Sequence, residues 1–407
     1  MLVILTNLSD NLMKQKIFFN GLNELRALAA FSVIFHHIEL FKSRDHNGSL
    51  FNSTYWAYFI EKLGKNGVYL FFVLSGFLIT YLLLIEKDKL KKILFKKFYL
   101  RRIYRIWPLY YLIVIIGFFL VPFLSNTFSI FKNTPYFFSL ISTQESYSIK
   151  SFLLYVFFLP NVALYEFNIV LVGCSQAWSV GVEEQFYILW PLLVFIFNKK
   201  KTFLFFLLIL SFYVFLHIII HPFVFSKIAC FFSIETILDV VIYKLLLIIP
   251  FDFMAIGAIG GYLFLYYNEK ITFFTKFRLL YLLVIMAILI LMFCPIVQSY
   301  IQSVFLGILF LFLILLTVND KNNYVFRNKY ISHVGKISYG VYMYHPFVMF
   351  LVFPFANKYF PFSINSLVYN TFVYVVIFTL TVIISHFSYQ YFESIFINIK
   401  DKKYKSL

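Results

Sequence analysis

Runs of about twenty mainly apolar residues recur along most of the chain, and few carry more than one or two charges. A helix of about twenty such residues matches the roughly 30 Å hydrocarbon core of a bilayer, where backbone polar groups must be satisfied internally. The runs expected to span are approximately 22–41, 66–85, 105–124, 176–197, 202–221, 236–267, 278–296, 300–318, 334–353 and 366–389. The sixth is overlong and interrupted by Pro250 and Asp252, which predicts a broken or re-entrant element. Residues 136–168 are apolar only in patches and read as an extracytoplasmic segment with an interfacial helix. Only 13% of the chain is charged, against about 25% in a soluble domain. The expected fold class is therefore all-α: a polytopic membrane helix bundle of about ten transmembrane helices.

Lysine and arginine set the orientation. Lys14 and Lys16 precede the first span, and KDKLKKILFKKFYLRRIYR joins the second to the third. KKK at 199–201, Lys270 with Lys276 and Arg278, Lys321 with Arg327 and Lys329, and the KDKKYK tail follow. With ten spans all these loops fall on one face, which the positive-inside rule makes cytoplasmic. Both termini are then cytoplasmic: an N-terminal segment 1–20, a membrane domain 21–395 and a basic tail 396–407. The net charge of +17 reads as a topology signal with lipid partners rather than a nucleic-acid face. Cys174, Cys230 and Cys294 have no CxxC spacing and suggest neither disulfides nor zinc. The start MLVILTNLSDNLMKQK does not read as a cleaved signal peptide.

The first span, RALAAFSVIFHH, opens on Arg26 and closes on His36 and His37. Eleven residues of helix return His37 to within about 20° of Arg26, with about 16 Å of rise, whereas His36 lies about 80° away. Arg26 could snorkel to lipid phosphate while the histidines sit at an interface. Alternatively, His37 is a proton-transfer group inside the bundle above a polar arginine path. The helix alone does not decide between them.

In RRIYRIWPLYY, Arg102 and Arg105 are three apart and share a helix face. They either anchor the topology or hold an anion, which guanidinium forks suit. WSVGVEEQFYILWP buries Glu183 and Glu184 in an apolar span below Trp178, at roughly the depth expected for His37. Such carboxylates face a cavity or a cation, and one beside an imidazole would orient it. GKISYGVYMYHP adds Tyr339 and His345 to the ninth span, where a lone histidine is either functional or simply hydrogen-bonded to a neighbouring helix. His217 and His221 have i, i+4 spacing without an acidic partner, so no metal site is expected. Gly257 and Gly261 form a GxxxG better suited to helix packing than to a ligand. No P-loop, nucleophile elbow or dinucleotide fingerprint is present.

Taken in order, these stretches resemble the acyltransferase-3 family of bacterial membrane O-acyltransferases. ELRALAAFSVIFHH is similar to its first-helix motif, an arginine and a histidine separated by ten residues, which selects Arg26 and His37. FFVLSGFLIT, RRIYRIWPLYY, WSVGVEEQFYILWP, ISYGVYMYHP and SYQYFES resemble the later motifs, over about residues 20 to 395. Asn23-Glu24 stands where the family often has Asp-Gly, and Ser394 where a proline often follows the last glutamate.

The resemblance implies an enzyme of the bacterial inner (cytoplasmic) membrane, multi-pass. It would move an acyl group, usually acetyl, from cytoplasmic acetyl-CoA to a hydroxyl of an extracytoplasmic or lipid-linked glycan such as O-antigen, capsule or exopolysaccharide. Acetyl-CoA would be a donor substrate, with no permanently bound cofactor. Arg26, Arg102 and Arg105 would hold the donor, His37 would be the base and Glu183 its orienting carboxylate. Trp178, Glu184, Tyr339 and His345 would contact substrate. The chain ends soon after the last span, so a stand-alone member without an appended SGNH-type domain is expected. A transporter or permease would also place Arg, His and Glu within spans, but no half-pattern repeats across spans 1–5 and 6–10.

Overall fold

The computed structural model describes residues 19, 21–45, 54–142, 147–167, 171–217, 249–275, 278–293, 299–319, 328–361 and 366–405. Among them the chain is helical, with no strand. Helix α1 covers Leu22–Arg44, α2 Thr54–Leu90 and α3 Phe95–Ile115. A π turn, Ile116–Leu120, joins α3 to α4, Val121–Thr127. Three helices of eight residues follow: α5 Pro135–Ser142, α6 Ile149–Val156 and α7 Pro160–Phe167. At about 1.5 Å per residue each reaches only about 12 Å, too short to span. They fall on the segment read as extracytoplasmic.

Next come α8 Ala177–Ile196, α9 Lys199–Phe215, α10 Phe251–Tyr266, α11 Asn268–Thr275, α12 Arg278–Phe293 and α13 Ser299–Asn319. The chain closes with α14 Lys329–Lys336, α15 Ser338–Tyr359, α16 Ser366–Phe387, a π segment Ser388–Glu393 and α17 Ser394–Lys405. Six helical stretches are long and apolar enough to cross a membrane, and the helices in 201–215, 251–266 and 279–293 are shorter apolar ones. With α1, whose polar residues lower its hydropathy, these make ten among the described residues, at the positions expected of the spans. The sixth run is described from Ile249 onward, where Pro250 caps α10 and Asp252 lies in its first turn. Its residues 236–248 and His221 lie outside the described residues.

Local sequence explains several helix ends. Gly21, at φ 79°, opens α1 in the left-handed region, and Glu24 sits in the first turn, where a helix favours negative charge. Asn198 and Asn328 cap α9 and α14 by accepting from backbone N–H groups. At the end of α8, Lys87 Nζ donates to the carbonyls of Val194, Phe195 and Phe197, acceptors that the helix leaves unused.

Two apolar clusters form the core, and α1 belongs to both. Leu22, Leu25, Ala29 and Val33 pack into the cluster built on α2, α3, α8, α10 and α13. Ala30, Ile34, Ile38 and Phe41 pack against α15 and α16. The polar groups of α1 therefore run through the middle of the protein. Close approach of α2 and α10 depends on glycine. A Cβ at Gly76, Gly257 or Gly261 would meet the backbone carbonyl oxygen of Met254, Val73 or Phe77 respectively. The GxxxG is a packing device here, as its sequence suggested.

Candidate active site

A cavity of about 300 Å³ opens between α1, α2, α3, α8 and α15. Arg26 enters it from α1, Arg102 and Arg105 from one face of α3, and Glu183 from α8. One turn separates the two α3 arginines, so both reach the same space. Arg102 lies over the rings of Tyr187 and Phe98, with its carbon 5.4 and 5.8 Å from the centroids. Its Nε is buried without a partner among the described residues. Arg101, next in sequence, instead pairs with Glu86 at 3.4 Å. No ion pair is formed by Arg26, Arg102 or Arg105 among the described residues. Three guanidinium groups thus share one cavity with a single carboxylate.

Glu183 is engaged on the arginine side. Ser75 Oγ donates to Glu183 Oε1 at 2.6 Å, and Tyr187 donates to Ser75 Oγ at 3.3 Å. The expected hydrogen bond between His37 and Glu183 is not formed. The reason lies before α8: Leu171, Val172 and Cys174 are buried, and Cys174 lies where a Cβ on Gly117 of the π turn would be. The segment before α8 is packed inside the bundle, and Glu183 lines the cavity that Arg26 enters. Trp178 is half-buried edge-on to Phe72, at 6.4 Å between centroids, and does not line the cavity.

The other residues expected to meet substrate separate. Tyr339 lines the cavity, with its hydroxyl donating to the Ile106 carbonyl at 2.8 Å. Glu184 points away: Trp107 Nε1 donates to its Oε2 at 3.0 Å, and it is buried outside the cavity lining. His345 has no exposed surface and spends both ring nitrogens on protein groups. Neither Glu184 nor His345 lines the cavity. Ser75 and Tyr187 were missed. The signal for Ser75 was a serine in the middle of the apolar run FFVLSGFLIT.

At the far end of α1 the two histidines part company. His36 Nδ1 donates to the Ile60 carbonyl at 2.8 Å, and its ring fills the space beside Gly64. His37 Nδ1 meets His345 Nε2 at 2.7 Å, with the rings 13° apart in plane. One turn on, Lys42 bonds Glu39 at 2.6 Å, both buried, and Tyr374 donates to the same carboxylate. No group of three metal-ligating side chains occurs among the described residues.

Fold and site together define a polytopic membrane protein with an arginine-lined cavity at one end of a central helix and a histidine pair at the other. The chain belongs to the acyltransferase-3 family, whose acyltransferase domain matches residues 19–386. It is 30% identical over 183 residues to the peptidoglycan O-acetyltransferase OatA of Listeria monocytogenes, covering 44% of this chain and 24% of the relative. It is 31% identical over 176 residues to the putative peptidoglycan O-acetyltransferase YrhL of Bacillus subtilis, covering 42% and 23%. The O-acetyltransferase OatA of Staphylococcus aureus is 29% identical over 182 residues, covering 43% and 24%. The chain thus spans about a quarter of the length of the curated relatives it matches. No solved structure matches it.

Proposed function

We propose that this acyltransferase moves an acyl group, acetyl in the first instance, from cytoplasmic acyl-CoA to a hydroxyl of a glycan on the other side of the cytoplasmic membrane. The observation that carries the reading is the convergence of Arg26, Arg102 and Arg105 on one cavity without ion-pair partners, at the foot of the helix that bears His37. Arg26 and Arg102 are partly buried and form no ion pair among the described residues, which is costly in a membrane, and guanidinium forks match phosphate oxygens. A CoA diphosphate and ribose phosphate would supply the missing charge. From there the pantetheine arm would run along α1 toward His37, about 16 Å further by helical rise.

In the transfer step, His37 Nε2 takes the proton of the acceptor hydroxyl. The oxygen attacks the thioester carbonyl, the C–S bond breaks, and the CoA thiolate leaves and takes up the proton. The relatives, peptidoglycan O-acetyltransferases by name, favour a cell-wall glycan as acceptor. Glu183 belongs to the donor end in this reading, where it tempers the arginine charge and holds Ser75 and Tyr187. With the arginine end cytoplasmic, both termini are cytoplasmic too.

The test is a titration of the purified full chain in nanodiscs with acetyl-CoA, followed by transfer of radiolabelled acetyl to glycan in vesicles. Saturable binding and base-labile label on glycan are expected. A protein that binds no CoA, or leaves the glycan unlabelled, sinks the reading.

A further inference from the structure

His345 sits in YMYHP of α15, with no exposed surface. Its Nδ1 lies 2.6 Å from the carbonyl oxygen of Tyr342, and its Nε2 lies 2.7 Å from His37 Nδ1. A carbonyl can only accept, so Nδ1 of His345 carries the hydrogen. A neutral imidazole has one N–H, which makes His345 Nε2 an acceptor. The hydrogen shared by the two rings then belongs to His37 Nδ1, and the lone pair of His37 is left on Nε2. That nitrogen has no partner among the described residues.

The sequence supplies the reason the first link exists. In a regular helix the Tyr342 carbonyl would accept from the N–H of residue 346, but Pro346 has none. A carbonyl left open within a bilayer is costly, and the imidazole one residue before the proline takes it. Pro346 thereby fixes His345, and His345 fixes His37.

We infer that His345 is a positioning residue: it holds His37 in the tautomer whose Nε2 is free to take the acceptor proton, with the direction of the relay imposed by the carbonyl that Pro346 vacates. The inference rests on His37 being the base of the proposed transfer. It assigns His345 no contact with substrate.

The full chain, labelled with ¹⁵N-histidine in nanodiscs, gives one readout that is independent of turnover. His37→Ala identifies the resonances of residue 37, which in the wild type should show a protonated Nδ1 and an unprotonated Nε2. His345→Leu removes the acceptor and should mix the tautomers. It should also lower acetyl transfer from radiolabelled acetyl-CoA to vesicle glycan by roughly 10²- to 10⁴-fold, the range in which loss of a tautomer-fixing partner falls. His345→Gln returns an acceptor oxygen near the lost Nε2 and should recover at least tenfold of that activity. Pro346→Ala, which restores an N–H to compete for the Tyr342 carbonyl, should fall between wild type and His345→Leu. Acetyl-CoA affinity should stay within about twofold throughout. A wild-type His37 protonated on Nε2 overturns the inference, as does a His345→Leu variant with unchanged tautomer or transfer within threefold of wild type. If His37→Ala retains full transfer, the base assignment falls, while the resonances still decide whether His345 sets the tautomer.

Discussion

The two ends of α1 solve opposite problems. Around Arg26 three guanidinium groups are left without ion pairs among the described residues, beside a cavity of about 300 Å³. Around His37 the polar groups are closed, with His36 tied to Ile60, Lys42 to Glu39, and His37 to a histidine whose other nitrogen is also bonded. An end that binds a charged donor can keep charge uncompensated until the ligand arrives. An end that moves a proton must have its hydrogen bonds fixed beforehand, because catalysis depends on a preset geometry. In the proposed reading the difference separates binding from chemistry along about 16 Å of a single helix.

The largest effect expected is at the closed end. His37→Ala should reduce acetyl transfer to glycan by about 10²- to 10⁴-fold while acetyl-CoA still binds, the range a positioned base contributes. His36→Ala should cost less, because its ring tethers α1 to α2. Equal losses in the two variants, measured as base-labile acetyl on glycan, would erase the distinction between them.

At the open end, Arg102→Ala and Arg105→Ala should each weaken acetyl-CoA binding by about 10- to 100-fold. Charge-assisted bonds of about 1.5–3 kcal/mol set that range. Arg→Lys should recover only part of it, since a point charge lacks the fork. Calorimetric titration reads this directly, and unchanged affinity in both alanine variants would reduce these residues to anchors.

A smaller and more diagnostic change is Glu183→Gln. Removing the carboxylate that lines the cavity with the arginines should let CoA bind as tightly as in the wild type or several-fold tighter. If the variant loses turnover with the His37 resonances altered, Glu183 acts on the base after all and the two ends are not separate. The smallest effect is expected for Glu184→Gln. Its partner is Trp107 and not the cavity, so transfer should stay within about threefold; a deeper loss would bring Glu184 back to the substrate.

The helical class, the ten apolar runs and the stripe joining Arg26 to His37 were legible because each follows from local periodicity and length. The pair Arg102 and Arg105 was legible for the same reason, since three residues are one turn of one helix. The neighbour of Glu183 was not legible: the sequence suggested His37, whereas in the structure Glu183 accepts from Ser75. Nothing in AWSVGVEEQF indicates that the residues before it, Leu171 to Cys174, are packed inside the bundle. The role of His345 was equally hidden: HP shows that a carbonyl is vacated, but not which imidazole lies across from the ring that fills it.

What the sequence determined by itself, then, is everything carried by a single helix: which segments are apolar enough for lipid, which polar groups share a face, and how far apart they stand. Only the tertiary structure decided which groups meet across helices, and hence that Glu183 lines the cavity with the arginines while His345 lies against His37. The physical reason is that lipid and helix interiors are comparably apolar, so burial does not choose a helix's neighbours. Close contacts do, as where Gly76, Gly257 and Gly261 let α2 and α10 touch backbone to backbone, and those contacts exist only once the bundle has formed.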